Sequence, residues 1–378
     1  MKKNKLFFIV SEDKSFWSHR LSLALSAIDA GYDVTLVSNF NKLESKIKNR
    51  GVNVININFV RSSKHPFTDL KNIFKLIFIL RKEKPDIIHN VALKTILIAS
   101  IAGLFSKKMV IINAFTGLGY VFSSDQLHAK LIRFFIKPIF KLLFRRSNYW
   151  TIFQNPDDMN LFERLGLINL NQSTLIRGSG VETNKFIQSD DLNKIPVVML
   201  ASRMLWDKGV GEFVKVAKRA YKNKINAEFM LVGGIDNDNP MSIPLSTLKQ
   251  WVSNGDVQWE GHSDNMPDML ASASIVCLPS YREGLPKVLL EAAAIGRPLI
   301  ASDGPGCREI VRDKYNGLLV KMRDADSLYE AVLMLVNNRK MRETMGRNSR
   351  TLVETELSTT IINTQTIELY RRVVNASN

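Results

Sequence analysis

The stretch Ser280-Tyr281-Arg282-Glu283-Gly284-Leu285-Pro286-Lys287-Val288-Leu289-Leu290-Glu291-Ala292-Ala293-Ala294-Ile295-Gly296-Arg297-Pro298 decides how the chain reads. Just before it, Ser274 to Leu278 is an apolar run closed by Pro279, which predicts a short buried strand. Pro286 suits a first helical position, where its missing N–H has no partner to lose. Lys287 to Ile295 is a run of apolar residues and alanines that stops at Gly296, a natural C-cap, with Pro298 beyond. After Leu299 to Ser302 a second turn follows, Asp303-Gly304-Pro305-Gly306-Cys307. The order is strand, tight turn, helix, with Glu283 on the turn and Glu291 inside the helix.

That order has a chemical reading. A helix N-terminus presents backbone N–H groups and a partial positive charge, which suits a diphosphate. Gly284 has no Cβ and lets a ligand approach the backbone. Glu283 can accept hydrogen bonds from sugar hydroxyls, and Glu291, about a turn and a half along, can do the same for a ribose diol. Alone, two such glutamates read as a solvated turn and a helix-face charge. The flanking strand, glycines and prolines are what favour a site.

Glu, seven residues, Glu, set in Tyr-Arg-Glu-Gly-Leu-Pro and followed by Gly-Arg-Pro and Asp-Gly-Pro-Gly-Cys-Arg-Glu, resembles the donor site of family-four retaining glycosyltransferases. The resemblance runs over essentially the whole chain. It implies a GT-B fold: α/β, two Rossmann-like domains with parallel sheets facing across a cleft, and a C-terminal helix crossing back to the first. The implied domains are 1–186, facing the acceptor and membrane, 187–357, binding the nucleotide-sugar, and the helix 358–378. Gly284, Leu285, Pro286, Lys287 and Glu291 are then donor-binding residues, and Glu283 orients the donor sugar.

Composition sets the outer bounds. A chain of 378 residues accommodates two α/β domains with their own cores. Its two cysteines, Cys277 and Cys307, form no CxxC, so neither a disulfide framework nor structural zinc is expected and a reducing cytosol fits. Met1 to Leu6 begins like a signal peptide, but the apolar stretch ends at Val10, which makes it a first strand. The apolar run Thr95 to Phe105 is too short to span a bilayer. Charge is uneven: Met1 to Phe186 holds 28 Lys+Arg against 13 Asp+Glu, whereas the remainder holds 24 against 23. A first half at +15 and a second at +1 call for a large anionic partner of the first, membrane surface or nucleic acid.

The first half alternates strands and helices, as a parallel doubly wound sheet requires. Ligands of such sheets sit beyond the carboxyl ends of the strands. There His19, Arg20, His89, Lys94, Thr116, Gly117 and Gly119 would collect. Many relatives carry a Gly-Gly pair in the first loop; here Glu12-Asp13-Lys14-Ser15 is expected to be that loop. Phe16 to Arg20, His89 to Lys94 and Thr116 to Gly119 resemble instead a sub-group that extends undecaprenyl-diphosphate-linked sugars with N-acetylhexosamines. His89 is the candidate nearest the acceptor, and Gly178 and Gly180 would let the cleft floor approach the ligand. His89 as a satisfied strand-end histidine, His19 as a packing residue and Lys94 as a solvated charge are the plainer readings.

Leu127 to Arg146 contains no acidic residue. Lys130, Arg133, Lys137 and Lys141, with Arg145 and Arg146, lie beside Phe134, Phe135, Ile136, Phe140 and Phe144. A basic amphipathic helix of this kind suits an anionic membrane surface, each basic side chain adding roughly 1 kcal/mol. Lys64 to Lys84 can extend the same surface. A core helix with a solvated basic face is the alternative.

Asn184 to Asn193 is polar and is expected to be the interdomain linker. Beyond it, a strand from Pro196 ends at Ser202-Arg203, with Lys208 five residues on and before a helix. Arg203, Lys208 and the helix near Pro286 would neutralise a diphosphate leaving group, as the matching Arg and Lys do in the family. The resulting expectation is a metal-independent, cofactor-free retaining hexosyltransferase. Its partners would be a UDP-linked sugar donor, a lipid-linked saccharide acceptor and the inner face of the cell membrane, with no nucleic acid. Two alternatives stay open: a UDP-N-acetylglucosamine 2-epimerase of the same architecture, and a basic nucleic-acid-binding protein, for which no RNP-like strand or zinc finger speaks.

Overall fold

The computed structural model describes residues 3–59, 66–106, 108–118, 122, 127–191 and 193–376. The chain divides into two compact units: residues up to Ser179 together with those from Ile362 onward, and Gly180–Ile361.

The strands of the first unit are β1 (Lys5–Glu12), β2 (Asp33–Asn39), β3 (Asn53–Asn56), β4 (Ile87–Val91), β5 (Val110–Phe115), β6 (Tyr149–Phe153) and β7 (Ser173–Leu175). They form one parallel sheet in the order β3-β2-β1-β4-β5-β6-β7, with Phe8 in register with Leu36 on one side and His89 on the other. Alternate residues of β1 feed opposite faces, as strand pleating dictates. Leu6, Phe8 and Val10 enter one core, while Phe7 and Ile9 enter the other. Burial on both faces explains why Leu6 to Val10 of β1 read as a continuous apolar run.

The second unit repeats the plan. Its strands are β8 (Val197–Ala201), β9 (Glu228–Val232), β10 (Gln258–Trp259), β11 (Ile275–Leu278), β12 (Leu299–Ser302) and β13 (Gly317–Val320). They form a second parallel sheet, β10-β9-β8-β11-β12-β13. In each sheet the strand order reverses between two central neighbours, β1/β4 and β8/β11. That is the position where doubly wound sheets present ligand-binding loops.

Some local expectations are corrected. Glu12 to Ser15 is not a loop: Glu12 ends β1, and Asp13–His19 is a helix. Buried Asp13 accepts the backbone N–H groups of Asn41, Lys42 and Leu43 at 2.9, 3.2 and 3.0 Å, so the acid closes the end of the neighbouring β2 segment. The described residues of the expected linker, 184–191 and 193, are not free. Arg297 donates to Ser189 O (2.7 Å) and Oγ (2.8 Å), and Arg342 pairs with Asp191 (3.3 Å), fixing the stretch on the second unit. The units accordingly divide at Ser179/Gly180, ahead of residue 186. After β13 the helices Ala325–Val336 and Arg339–Leu352 follow, the second capped by the side chain of Asn338, which accepts from Met341 N.

The final helix, Thr359–Asn375, sends Ile362, Ile367, Leu369, Tyr370 and Val373 into the core of Leu6, Phe8 and Val10.

Candidate functional site

At the β8/β11 switch two loops leave the sheet side by side. After β8 runs Ser202 to Gly209, leading into the helix Val210–Lys222. After β11 runs Pro279 to Pro286, leading into Lys287–Ile295. Backbone bonding locks them together: Tyr281 N and Ser280 Oγ both donate to Asp207 O, at 2.9 and 3.2 Å. Ser302 Oγ holds the carbonyl of Ser280 from β12, and Glu283 N donates to Pro305 O (3.2 Å). Gly209, at φ +74°, permits this approach, since a Cβ there would stand 2.3 Å from Pro279 O. Gly306, at φ +79°, does likewise against Gly284 O, 2.5 Å from where a Cβ would lie.

The loops bring Lys208 and Glu283 together. Lys208 Nζ lies 2.5 Å from Glu283 Oε1, and both side chains are largely buried. Lys287 Nζ approaches Glu291 Oε1 at 3.6 Å, one turn into the helix. Glu291 is buried, which raises its carboxyl above the ordinary range, with Lys287 pulling the other way. Arg203 forms an ion pair with Asp236, four residues beyond β9. The six charges thus stand as three opposite pairs.

The helix begins one residue later than expected. Pro286, with φ −73° and ψ 113°, is the extended N-cap, and Lys287 is the first helical residue. A proline cap has no side-chain acceptor to place over the following N–H groups, so their positive end is directed at the turn. Gly284 and Pro286 are buried and Leu285 is half-buried along this turn. Tyr281 is fixed beside it: its hydroxyl donates to Glu212 (2.8 Å), and Arg323 stacks 4.5 Å over the ring. Burial and Glu212 push the Tyr281 phenol up to about 12.

Two of these contacts escape sequence reading. Asp236 follows the Gly233-Gly234 end of its strand and carries no motif, and Glu212 is an ordinary first-turn helix acid. Only the fold brings each to its partner.

The first-unit candidates separate. His89 is buried, and its Nδ1 lies 2.6 Å from Tyr370 Oη. Burial, then the neighbouring Arg20, hold its pKa well below the usual imidazole value. That places a neutral histidine inside the core rather than at a surface open to a substrate. Arg20 is buried as well, and donates to Gly178 O at 3.5 Å. His19 is exposed, and Lys94 pairs with Asp69 at 2.9 Å. Thr116 is exposed after β5 and Gly117 is half-buried, while Gly119 lies outside the described residues. Gly180, in the second unit, packs against the backbone of Thr359. In Leu127–Leu143 and the residues after it, Lys130, Lys141 and Arg145 are exposed, and Arg133, Lys137 and Arg146 are half-buried. Phe134 and Phe135 face outward with them, whereas Phe140 and Phe144 are core residues.

The chain is similar to several known proteins. Residues 182–352 match the family model described as glycosyl transferases group 1, and residues 5–174 match the one described as glycosyl transferase 4-like. The chain is 29% identical to the N,N'-diacetylbacillosaminyl-diphospho-undecaprenol alpha-1,3-N-acetylgalactosaminyltransferase of Campylobacter jejuni, over 98% of its own length and 99% of the relative's. It is 26% identical to the UDP-Gal:alpha-D-GlcNAc-diphosphoundecaprenol alpha-1,3-galactosyltransferase of Escherichia coli, over 75% of this chain and 74% of that one. Among solved structures, a sucrose-phosphate synthase of Thermosynechococcus elongatus superposes with a TM-score of 0.81 at 20% identity, covering 99% of this chain and 100% of that one. HepE of Anabaena, solved in complex with UDP, gives 0.76 at 16% identity, covering 98% and 100%. The structural likeness is one of fold, and the two Rossmann-like units are those of the GT-B class.

Proposed function

From the match of residues 182–352 to the glycosyl transferases group 1 model and of residues 5–174 to the glycosyl transferase 4-like one, we propose that the chain moves a sugar from a UDP-sugar onto an undecaprenyl-diphosphate-linked saccharide. The sugar is an N-acetylhexosamine, and the product serves bacterial surface polysaccharide or glycan assembly. The names of the Campylobacter and Escherichia relatives support the lipid-linked acceptor, and the latter's name supports UDP as carrier. One observation carries the reading: Lys208 and Glu283 meet at the tip of Lys287–Ile295, beyond the carboxyl ends of β8 and β11.

In this reading the UDP diphosphate takes the place of Glu283 on Lys208 and recruits Arg203 from Asp236. The helix tip contributes its N–H groups. These positive charges, fixed before reaction, stabilise the diphosphate as it departs, commonly the largest catalytic term. They also supply what a bound cation would, and the reaction is therefore proposed to need no metal. Glu283, released from Lys208, holds sugar hydroxyls, and Glu291 holds the ribose. The bond from C1 to the β-phosphate oxygen breaks while a bond from C1 to the acceptor oxygen forms on the same face. A phosphate oxygen takes the acceptor proton, so the products are UDP and the lengthened saccharide with the anomeric configuration retained. Buried His89 is left out of this set and is read as a positioning group within its core. The basic helix holds the enzyme peripherally at the inner face of the membrane.

The test is incubation of UDP-sugars with synthetic undecaprenyl-diphosphate sugars in the presence of a chelator, followed by NMR of the product. Transfer with retained configuration is the expected result. An inverted product, or a requirement for a divalent cation, rejects the corresponding step. Donor alone converted to its epimer would replace the whole reading with an isomerase.

A further inference from the structure

We propose that the helix Pro66–Glu83 is a second membrane-seated element, whose Phe67, Phe74 and Phe78 insert among the headgroups of an anionic phospholipid bilayer. The proposal deepens the membrane reading above and is independent of the donor and the mechanism assigned there.

The observation is which way the rings point. This helix turns Asn72, Leu76 and Leu80 inward, at the four-residue spacing of one helical face. On the opposite face Phe67 is 83% exposed, Phe74 63% and Phe78 69%, with Leu70 exposed between them. Three phenylalanines and a leucine on one solvent-facing stripe are more apolar surface than a soluble helix presents without a partner. Their neighbours on that face are Lys71, Lys75, Arg81 and Lys82, all exposed. The helix's two acids are half-buried and neutralised at its flanks, Asp69 by Lys94 (2.9 Å) and Glu83 by Lys5 (3.8 Å). What faces outward is rings and cations.

Leu127–Leu143 has the same composition on its outer face: Phe134 72% and Phe135 62% exposed, flanked by exposed Leu131, Leu142, Lys130 and Lys141. Both helices cover one face of the seven-stranded sheet. Leu76 and Leu80 of one and Phe140 and Leu143 of the other enter a single core, and Leu93–Ala102 lies between them in contact with both. Two apolar-basic stripes are therefore carried on the same face of one sheet, either side of Leu93–Ala102. No helix among the described residues is long and apolar enough to cross a membrane, so these lie along the surface.

The chemistry selects the occupant. Exposed aliphatic Leu70, Leu131 and Leu142 have no role in stacking on nucleic-acid bases. A symmetric pair of chains would set this basic face against itself and oppose like charges. An anionic bilayer alone offers negative charge for the lysines and an apolar layer for the rings.

The two stripes also make a distinguishable prediction. Attraction of lysines fades with salt, whereas inserted rings persist. The wild-type chain is sedimented with vesicles of phosphatidylcholine containing phosphatidylglycerol, between about 0.1 M and about 1 M salt, where the screening length falls from about 10 to about 3 Å. It is compared with the triple variant Phe67→Ser, Phe74→Ser, Phe78→Ser, whose melting temperature checks the fold. Wild type is expected to retain a bound fraction at high salt, and the triple variant to partition at least about tenfold more weakly and to lose that fraction. A folded triple variant that binds like wild type overturns the role of these rings while leaving the membrane reading standing. A wild type that ignores the vesicles overturns both. A wild type whose dimerisation is abolished in the triple variant would give the face to a second copy of the chain, and the proposal would fall.

Discussion

Lys208 and Glu283 hold each other where the proposed reaction needs them apart. A largely buried lysine 2.5 Å from a carboxylate is stabilised by it, and a diphosphate arriving at Lys208 must compete with that carboxylate. Neutralising the acid should therefore separate binding from turnover. In Glu283→Gln, transfer is expected to fall by about 10²–10³-fold, the scale on which loss of one preorganised polar group in an active site acts. UDP, freed from its competitor, is expected to bind about two- to fivefold more tightly, the range a modest ion pair is worth. Titration calorimetry with UDP beside a turnover assay reads both. If UDP affinity dropped in step with turnover, Glu283 would be holding the loop together and not competing for Lys208. The equivalent exchange at Arg203 passes through Asp236, a residue the sequence does nothing to single out.

The elements that carry these residues are stacked by backbone contact, and their tolerance for side chains is correspondingly small. Gly209 opens Val210–Lys222 in a left-handed conformation directly against Pro279 O. In Gly209→Ala the strained φ and the clash at 2.3 Å act together, and neither atom belongs to a flexible side chain. The cost is expected at about 2–4 kcal/mol, lowering the melting temperature of the second unit by roughly 5–15 °C. Alanine there without loss of stability would mean that the two loops part more readily than their hydrogen bonds indicate. Much of this architecture is legible beforehand. β11, the turn and Lys287–Ile295 follow from an apolar run, a proline, a glycine and a second proline, all local signals. The two-sided burial of β1 and β8 shows in their unbroken apolar runs. The Asp13–His19 helix is not legible, because Glu12-Asp13-Lys14-Ser15 is polar and turn-like in composition. Asp13 instead serves the N–H groups of Asn41, Lys42 and Leu43, a partnership with no trace in local sequence. The same holds for the reading of 184–193: polar composition marks a linker only when nothing like Arg297 and Arg342 gathers it in.

Over the whole molecule the decisive contact joins residues 281 positions apart. The first unit is completed only when the chain returns from the second, and Tyr370 on that last helix meets His89 on β4. Around them lie apolar neighbours, among them the Phe8 ring, and one cation, Arg20. Burial first and Arg20 second keep His89 unprotonated, so its folded pKa is depressed below the unfolded one. For a base, that sign means the unfolded chain binds the proton more readily. Stability from this group is whole above the unfolded pKa of about 6.5 and declines as pH falls below it, by up to about 1.4 kcal/mol per pH unit. Calorimetry of the first unit between pH 7.5 and 5.5 should show this slope in wild type and a flatter one in His89→Asn. Tyr370→Phe should behave differently. It strips Nδ1 of its buried partner at a cost of about 1–3 kcal/mol at both pH values, yet it leaves the imidazole desolvated and the acid slope in place. Equal slopes in wild type and His89→Asn would show the folded core accepting the proton, and the reading of His89 as a neutral core group would fall. The contrast between the two variants thus decides whether His89, the candidate nearest the acceptor in the sequence, works instead as the neutral seat on which the returning helix closes the first unit.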